Sequence, residues 1–226
     1  MADTDVNFHL GHRERLREKL LNNQLADYEL FELLLSFVIP RRDVRPLARA
    51  MMAKYGGIHQ IITTDIDELM TNPGIGRNTA IFIKTLHQVI LSDYKGAMDN
   101  TTVFHDDRVL VDYCRILLRG KKTEEFHVLY LDRLRRLLAD DVHSRGTSDW
   151  AAVYPREILK RALALNAQSV VLIHNHPTAG IKFSSDDIKI TEQIIDVLRP
   201  VEIMVHDHYL VTGDMVYSAR AGFLIK

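Results

Sequence analysis

Two histidines and an aspartate stand at a spacing that can hold a metal ion. His174 and His176 lie two residues apart at the end of the predicted buried strand 170–174, so their imidazole rings project from one face. Pro177 ends that strand, the chain turns, and Asp187 follows in the first turn of a predicted helix. Two imidazoles, one carboxylate and an open position for water are typical of a catalytic zinc site. The pattern therefore predicts one bound Zn²⁺ ion and hydrolysis.

Each of these residues also has an ordinary structural explanation. A His-x-His pair in a strand is usually exposed or hydrogen-bonded, and an aspartate in the first turn of a helix interacts favourably with the helix dipole. Ser184 and Asp187 have the spacing of a capping box. The chain contains a second pair at the same spacing, His206 and His208, which the same turn, serine and acid do not follow. We interpret that second pair as structural.

Strand and helix patterns alternate in the part of the chain that holds these residues. The predicted strands are 126–132, 136–144, 170–174, 201–213 and 215–225, and the predicted helices are 109–118, 155–165 and 186–198. Strands mixed with helices around one sheet predict an α/β (α+β) domain.

The first half of the chain has a different pattern. Apolar residues recur at helical spacing, and no alternating strand pattern is present. The predicted helices are 28–39, 44–55, 65–70 and 78–91. Between Tyr94 and Asp107 the sequence becomes polar, and we expect a loose segment there. These patterns predict a small all-α domain over 1–100 and a second domain over 101–226.

Composition and charge exclude several classes of protein. The chain has 226 residues, 46% hydrophobic and 26% charged, with a formal net charge of -1. These values are ordinary for a globular protein and give no overall attraction to nucleic acid or membranes. No apolar stretch reaches the roughly 18 residues that a membrane span requires. The single cysteine, Cys114, allows no internal disulfide, and we expect a cytoplasmic protein.

The residues around the predicted metal site resemble a known superfamily. His174-x-His176-Pro177, followed after the proline-led segment 177–183 by Ser184-x-x-Asp187, is similar to the metal motif of JAMM (MPN+) metalloproteases. The text HNHP and the residues leading into it resemble the RadC family within that superfamily. The resemblance covers the whole second domain and the helical first half. It departs at Thr178-Ala179, where Ser-Gly is usual, and at Phe183, where proline is usual.

This resemblance implies two further site residues and a fold. The domain would have the mixed sheet of a JAMM/MPN domain, flanked by helices. A glutamate that begins the pattern Glu-x-apolar-x-apolar-Leu would act as general acid and base, and Glu124 fits that pattern. Glu125 is adjacent and competes, although its side chain should point to the opposite face of the strand. Ser184 would donate a hydrogen bond to the oxyanion of the transition state, or act only as the helix cap.

The segment Pro73-Gly74-Ile75-Gly76 between two predicted helices resembles a helix-hairpin-helix. Glycines there let the backbone approach a phosphate, and the next helix presents free N–H groups to the anion. Arg77 and Lys84 would add phosphate contacts, so we expect non-sequence-specific DNA binding. The same pattern also fits a protein-contact module or a packing turn between helices.

Three functions from different classes remain for the chain. The first is a zinc-dependent peptidase or isopeptidase that acts on a protein or peptide. The alternative is a DNA-binding, repair-related module in which the metal domain is a scaffold. RadC proteins are commonly described as DNA-repair proteins, but the residues of a hydrolase are all present here. A nuclease is disfavoured, because such enzymes more often assemble carboxylates around Mg²⁺ or paired metals.

Overall fold

A computed structural model describes residues 3–100, 107–146, 153–177, 180 and 182–222. The chain forms two compact units, Met1–Val89 and Ile90–Lys226. The division into domains 1–100 and 101–226 stays a prediction. None of the described helices is long and apolar enough to cross a bilayer.

The first unit is helical throughout its described residues. Its helices are α1 (Asp3–Leu21), α2 (Asp27–Val38), α3 (Arg45–Tyr55), α4 (Ile58–Thr63), α5 (Ile66–Met70) and the beginning of α6 (Arg77–Asn100). Gly56 caps the end of α3 with a φ of 88°, a conformation that glycine adopts without strain. The prediction of a loose segment from Tyr94 is wrong as far as Asn100, because α6 continues to that residue. Residues 101–106 lie outside the described part.

The second unit contains the predicted mixture of helices and strands. In chain order these are α7 (Asp107–Leu118), β1 (Glu124–Leu131), β2 (Leu137–Gly146), α8 (Pro155–Ala164), β3 (Ser169–Asn175), α9 (Ser185–Leu198), β4 (Met204–Thr212) and β5 (Met215–Ser218). The last strand is shorter than predicted. The Asp207 carboxylate accepts hydrogen bonds from the Ser218 hydroxyl at 2.5 Å and the Arg220 N–H at 3.0 Å. These bonds turn the chain after Ser218, and residues 223–225 lie outside the described part.

The five strands of the described residues form one mixed sheet in the order β2-β1-β3-β4-β5. β3 and β4 are parallel, with α9 between them in the chain, and the other neighbouring pairs are antiparallel. Phe126 of β1 lies opposite His174 of β3. The beginning of β1, the end of β3 and the beginning of α9 therefore meet at one end of the sheet. The predicted fold class is confirmed.

Helices cover both faces of the sheet. The first face packs alternate residues of β1, such as Phe126 and Val128, against α8 and α9. The second face packs Leu129 and Leu131 against α7. Because both faces are covered, the central strand β3 is buried along its whole length, which explains its continuous apolar run.

A cluster of buried charges, the His127 cluster, lies on the second face. His127 places Nδ1 3.0 Å from Oδ1 of Asp140 and Nε2 3.1 Å from Oε2 of Glu125. Lys95 lies 3.1 Å from Asp140, and Lys121 lies 3.1 Å from Glu125. Burial alone would raise the pKa of both acids, but the hydrogen bonds and charge of His127 lower each pKa to about 2. Burial lowers the pKa of His127, but its two carboxylate partners raise it above the ordinary value.

The His127 cluster predicts a pH-dependent effect of Asp140→Asn. We expect a loss of about 3–5 kcal/mol in the free energy of unfolding between about pH 4 and pH 6.5, because one partner of a buried ion pair is removed. The lowered pKa of Asp140 stabilises the folded state at pH values above the carboxyl pKa of the unfolded chain. The difference in stability between the wild type and the variant should therefore shrink as the pH falls from about 4 towards 2. The raised pKa of His127 stabilises the folded state fully below about pH 6.5, the histidine pKa of the unfolded chain. The difference in stability between the wild type and the variant should therefore also shrink as His127 deprotonates at higher pH. The free energy of unfolding, measured with denaturant between pH 2.5 and 9, tests both the change at low pH and the change at high pH.

Asp141→Asn is the matched control for this prediction. Asp141 is the next residue in β2 and pairs with the exposed Arg161, at 2.6 Å. An exposed pair contributes little to stability, so its loss should change the unfolding curve far less at every pH. Equal effects of the two substitutions would contradict the assignment of the stability to the His127 cluster.

Candidate metal centre

The structure brings four predicted site residues together at the end of the sheet. Glu124, His174, His176 and Asp187 each offer one ligand atom, and these atoms all lie within 4.8 Å of one another. The two histidines and the aspartate are buried, whereas Glu124 is half-buried. The site therefore combines three residues shielded from water with one carboxylate that remains partly accessible.

The histidine and aspartate atoms lie slightly closer together than the ligands of one tetrahedral zinc ion. Nε2 of His174 lies 3.2 Å from Nε2 of His176 and 3.1 Å from Oδ1 of Asp187. Atoms bound to one tetrahedral zinc ion lie about 3.3–3.6 Å apart, given bond lengths of about 2.0–2.2 Å. The backbone N–H of His176 donates to the carbonyl of Val211 in β4 at 3.0 Å. His176 thus keeps strand geometry, and both rings project from one face.

The Asp187 carboxylate has one oxygen that is fixed and one that is free. Oδ2 accepts from the backbone N–H of Ser184 at 2.6 Å and from its hydroxyl at 2.7 Å. Oδ1 is buried and accepts no hydrogen bond of acceptable geometry, although His174 Nε2 is 3.1 Å away. Burial opposes the charge of Asp187, yet the close imidazoles of His174 and His176 hold its pKa far below the usual range. His174 Nε2 lies 3.1 Å from Oδ1 and His176 Nε2 lies 3.2 Å from Oδ2, and a buried carboxylate between two imidazoles fits a zinc ion.

Ser184 is the N-cap of α9. Its hydroxyl accepts from the backbone N–H of Asp187 at 3.1 Å and donates to Oδ2 of the same residue. This arrangement is the capping box that was one of the two sequence interpretations. The other role, donation to an oxyanion, stays a prediction. It requires the hydroxyl proton to leave Asp187 for the substrate.

The two adjacent glutamates of β1 lie on opposite faces of the sheet. Glu124 shares the face of Phe126 and belongs to the group around Asp187. Glu125 points to the other face, where its carboxylate binds Lys121 and His127. The structure thus places Glu124 in the candidate metal centre and Glu125 in the His127 cluster.

Asn175, between the two histidines, anchors the beginning of β1. Its side chain is buried, Oδ1 accepts from the backbone N–H of Glu125 at 2.8 Å, and Nδ2 donates to the carbonyl of Thr123 at 3.1 Å. The backbone pairing of β1 with β3 ends at Phe126 and His174. The side-chain amide of Asn175 therefore takes the place of the next backbone hydrogen bonds between β1 and β3. It holds Thr123 and Glu125, the residues on either side of Glu124. Local sequence pattern does not predict this role.

The Asn175→Ala substitution should loosen the beginning of β1 without removing the metal ligands. We expect faster amide hydrogen exchange at Glu125, because its N–H loses a buried acceptor. Zinc content should stay that of the wild type. Hydrolysis should fall by up to about 10²-fold, because the carboxylate of Glu124 is no longer held in position. Unchanged protection of the Glu125 amide would show that the side chain of Asn175 is not its anchor.

His208 is a site residue that the sequence analysis interpreted only as structural. It is fully buried, and its Nε2 lies 2.8 Å from Nδ1 of His174. Burial lowers the pKa of His208 well below the ordinary value. The register of β3 with β4 shifts between the pairs Val170–Val205 and Val171–Asp207. His206 is the extra residue at this irregularity, which re-aims the strand, so the second His-x-His pair differs from the first.

Aromatic rings enclose the imidazoles. The ring centroid of Phe183 lies 5.7 Å from that of His174 and 5.1 Å from that of His208. Phe126 contacts His208 edge-to-face at 5.5 Å. The departure from the usual proline at position 183 thus adds a ring that shields both histidines. Thr178 and Ala179, the other departure, lie outside the described residues.

The turn before α6 has some features of the expected phosphate contact. Gly74 has a φ of 95°, and Arg77 is exposed at the first position of α6. An Arg42 guanidinium nitrogen lies 3.1 Å from where a Cβ on Gly74 would stand. Lys84 instead donates to the carbonyls of Ile62 and Thr63, at 3.1 and 2.9 Å. Its ammonium group therefore stabilises the end of α4.

Comparisons with known proteins agree with this geometry. Residues 104–223 match the RadC-like JAB domain, and residues 9–81 match the UPF0758 N-terminal domain. A UPF0758 protein of Ruegeria pomeroyi is 37% identical over 217 residues, which cover 94% of this chain and 97% of that protein. A UPF0758 protein of Fusobacterium nucleatum is 34% identical over 218 residues, which cover 92% of this chain and 94% of that protein.

Proposed function

Because the chain belongs to the RadC-like JAB domain family, we propose that it is a zinc-dependent hydrolase that cleaves an amide bond in a peptide or protein. His174, His176 and Asp187 hold the ion in this proposal. The observation that carries it is the buried Oδ1 of Asp187, which accepts no hydrogen bond although Nε2 of His174 lies 3.1 Å away. Leaving such an oxygen without a partner is costly in a folded protein, and a cation would satisfy it.

The chemistry divides between the ion and Glu124. A bound zinc ion would lower the pKa of water towards about 7 and polarise a substrate carbonyl. Glu124, half-buried beside the ligands, accepts a proton from the attacking water and returns it to the leaving nitrogen. The Ser184 hydroxyl donates a hydrogen bond to the developing oxyanion, while the backbone N–H of Ser184 keeps Asp187 fixed. Asn175 and the sheet keep the carboxylate of Glu124 aimed at the site.

A phosphodiester substrate is less consistent with the site. Among the described residues, this is the one group of three or more His, Cys, Asp or Glu residues whose ligand atoms all lie within 4.8 Å of one another. Two-metal cleavage of phosphodiesters needs a second ion about 3.5–4 Å from the first. One ion beside one free carboxylate favours hydrolysis of an amide or isopeptide bond.

The test begins with the metal content of the purified chain, which should be about one zinc per molecule. The zinc-loaded chain is then incubated with a cell proteome, and new amino termini and released isopeptide-linked chains are identified by mass spectrometry. Products should require zinc and should be absent with Glu124→Gln. A zinc-loaded chain that yields no product beyond the Glu124→Gln control overturns the peptidase assignment.

Nucleic-acid contact by the first unit is a second candidate, in which the metal domain would serve as a scaffold. Gly74 at positive φ, the exposed Arg77 and the guanidinium of Arg42 beside the turn favour it. Such contact would depend on the charge of the nucleic-acid backbone. A plot of the logarithm of the binding constant against the logarithm of the salt concentration should therefore have a slope of about -0.9 for each phosphate that the protein neutralises.

The Gly76→Asp substitution tests this candidate, with Gly76→Asn as its uncharged control. No atom lies within 4 Å of a Cβ built on Gly76, so both side chains fit sterically. Only the aspartate should weaken binding to duplex DNA, because it places a negative charge beside the phosphates. Equal affinity of the two variants, or binding that salt does not change, would leave the first unit without this function.

A further inference from the structure

A line of buried hydrogen bonds connects two of the proposed metal ligands. Nδ1 of His174 lies 2.8 Å from Nε2 of His208, and Nδ1 of His208 lies 2.7 Å from Oγ1 of Thr191. The Thr191 hydroxyl also lies 2.5 Å from the backbone carbonyl of Asp187. All four residues are at most 4% exposed. The line therefore begins at one ligand and ends at the backbone of another.

The last bond of this line fixes the direction of the others. A carbonyl oxygen only accepts, so the hydroxyl proton of Thr191 goes to Asp187. Oγ1 then accepts from Nδ1–H of His208. His208 is fully buried and its two nitrogens face an imidazole and a hydroxyl instead of a carboxylate, so the ring carries one proton and Nε2 is an acceptor. Nε2 of His208 accepts from Nδ1–H of His174. Nε2 of His174 consequently carries no proton.

We propose that His208 and Thr191 are positioning residues that hold His174 in the tautomer whose Nε2 binds the metal. The inference rests on the proposed metal site but not on the nature of the substrate. A ligating histidine commonly donates its other N–H to a fixed acceptor, which sets the ring orientation. Here a second imidazole takes the place of the usual carboxylate or carbonyl.

The competing tautomer explains why such a device matters. With its proton on Nε2, His174 would place that proton beside Oδ1 of Asp187, 3.1 Å away. The lone pair of Nε2 that binds the metal would then be occupied by the proton. His208 opposes this tautomer by accepting only from Nδ1. The rings of Phe126 and Phe183 pack against both histidines and keep them from rotating away.

Thr191 provides the sharpest pair of variants. Thr191→Ser keeps the hydroxyl, whereas Thr191→Val keeps the shape and removes the acceptor for His208. We expect the zinc dissociation constant to rise by about 10–100-fold with valine, the range found for such supporting residues. The serine variant should bind zinc as the wild type does. His208→Phe, which keeps a ring between Phe126 and Phe183, should match the valine variant.

His143→Phe is the control for loss of a half-buried histidine away from the proposed metal ligands. His143 Nε2 lies 2.7 Å from the hydroxyl of Tyr130 and outside the group of metal-binding residues. Its loss should leave zinc affinity unchanged. Circular dichroism and thermal unfolding show which variants keep the fold before zinc affinity is compared.

The tautomers are also measurable in the unmodified chain. Nitrogen-15 NMR distinguishes Nδ1–H from Nε2–H histidines, and both His174 and His208 should carry the proton on Nδ1 with zinc bound. Zinc bound as in the wild type by a folded Thr191→Val variant, or His208 protonated on Nε2, overturns the inference while the hydrolase proposal stands. A wild-type chain that binds no zinc overturns both.

Discussion

Replacing Glu124 with glutamine is expected to leave zinc bound while the rate of amide hydrolysis falls by about 10²–10⁴-fold, the usual contribution of a general acid–base group. Glutamine keeps the size of the side chain and its place on the first face of the sheet, but it cannot accept a proton from water. The three proposed metal ligands lie at the end of β3, directly after it, and in α9, and they are untouched. Zinc content and the rate of product formation in the same preparation check both halves of this expectation.

Glu125→Gln is the matched control, because the two residues are adjacent and differ in the face to which they point. Glu125 is bound to Lys121 and His127, so its replacement should lower stability and leave the hydrolytic rate nearly unchanged. If the Glu125 variant loses activity and the Glu124 variant keeps it, the assignment of the general base is reversed.

Replacing His174 with alanine is expected to weaken zinc binding by more than about 100-fold, beyond the effect of losing a supporting residue. His174 contributes one of the two imidazoles, and its Nε2 lies closest to both other ligands. The measurement needs no substrate. Zinc at about 1,000 times its dissociation constant should stabilise the wild type against unfolding by about 4 kcal/mol, and the variant should gain almost nothing.

His206→Ala is the control for this second prediction. His206 begins the other His-x-His pair but does not belong to the group of metal-binding residues. Its variant should keep zinc-dependent stabilisation. Retention of that stabilisation by His174→Ala would mean that the ion, if bound, is held elsewhere.

The convergence of three candidate metal-binding residues is predictable from local sequence because they are close together in the chain. A strand end, a turn and a helix start bring His174, His176 and Asp187 into one place, and each step follows from local pattern. Glu124 stands 50 residues before His174 and was identified only through resemblance to a family. Its position depends on the antiparallel pairing of β1 with β3, which no local pattern specifies.

The supporting residues were not predicted for a related reason. Asn175 acts across the β1–β3 pairing, and His208 acts across the β3–β4 pairing after an irregularity at His206. Pattern reasoning locates strands but does not supply their register. Thr191 carried a usable signal, since it follows Asp187 by four residues and therefore lies on the same side of α9.

The order of elements in the second unit was predicted, whereas some ends were not. β5 stops at Ser218 because Asp207, in the neighbouring strand, binds the turn that follows. α6 extends to Asn100 through a polar stretch. Leu91 and Met98 of this helix pack in the core of the second unit, so tertiary contacts lengthen the helix beyond its apolar pattern.

The alternation of side chains along β1 makes this strand unusually intolerant of a change in length. Deleting Phe126 while the rest of the strand keeps its pairing would turn Glu125 towards the metal ligands and Glu124 towards His127, reversing both environments at once. A deletion in the turn 133–136 does not change the face of the sheet to which each β1 side chain points. Length variation among natural relatives should therefore be tolerated at that turn and excluded from β1, even where the identities of the β1 residues drift.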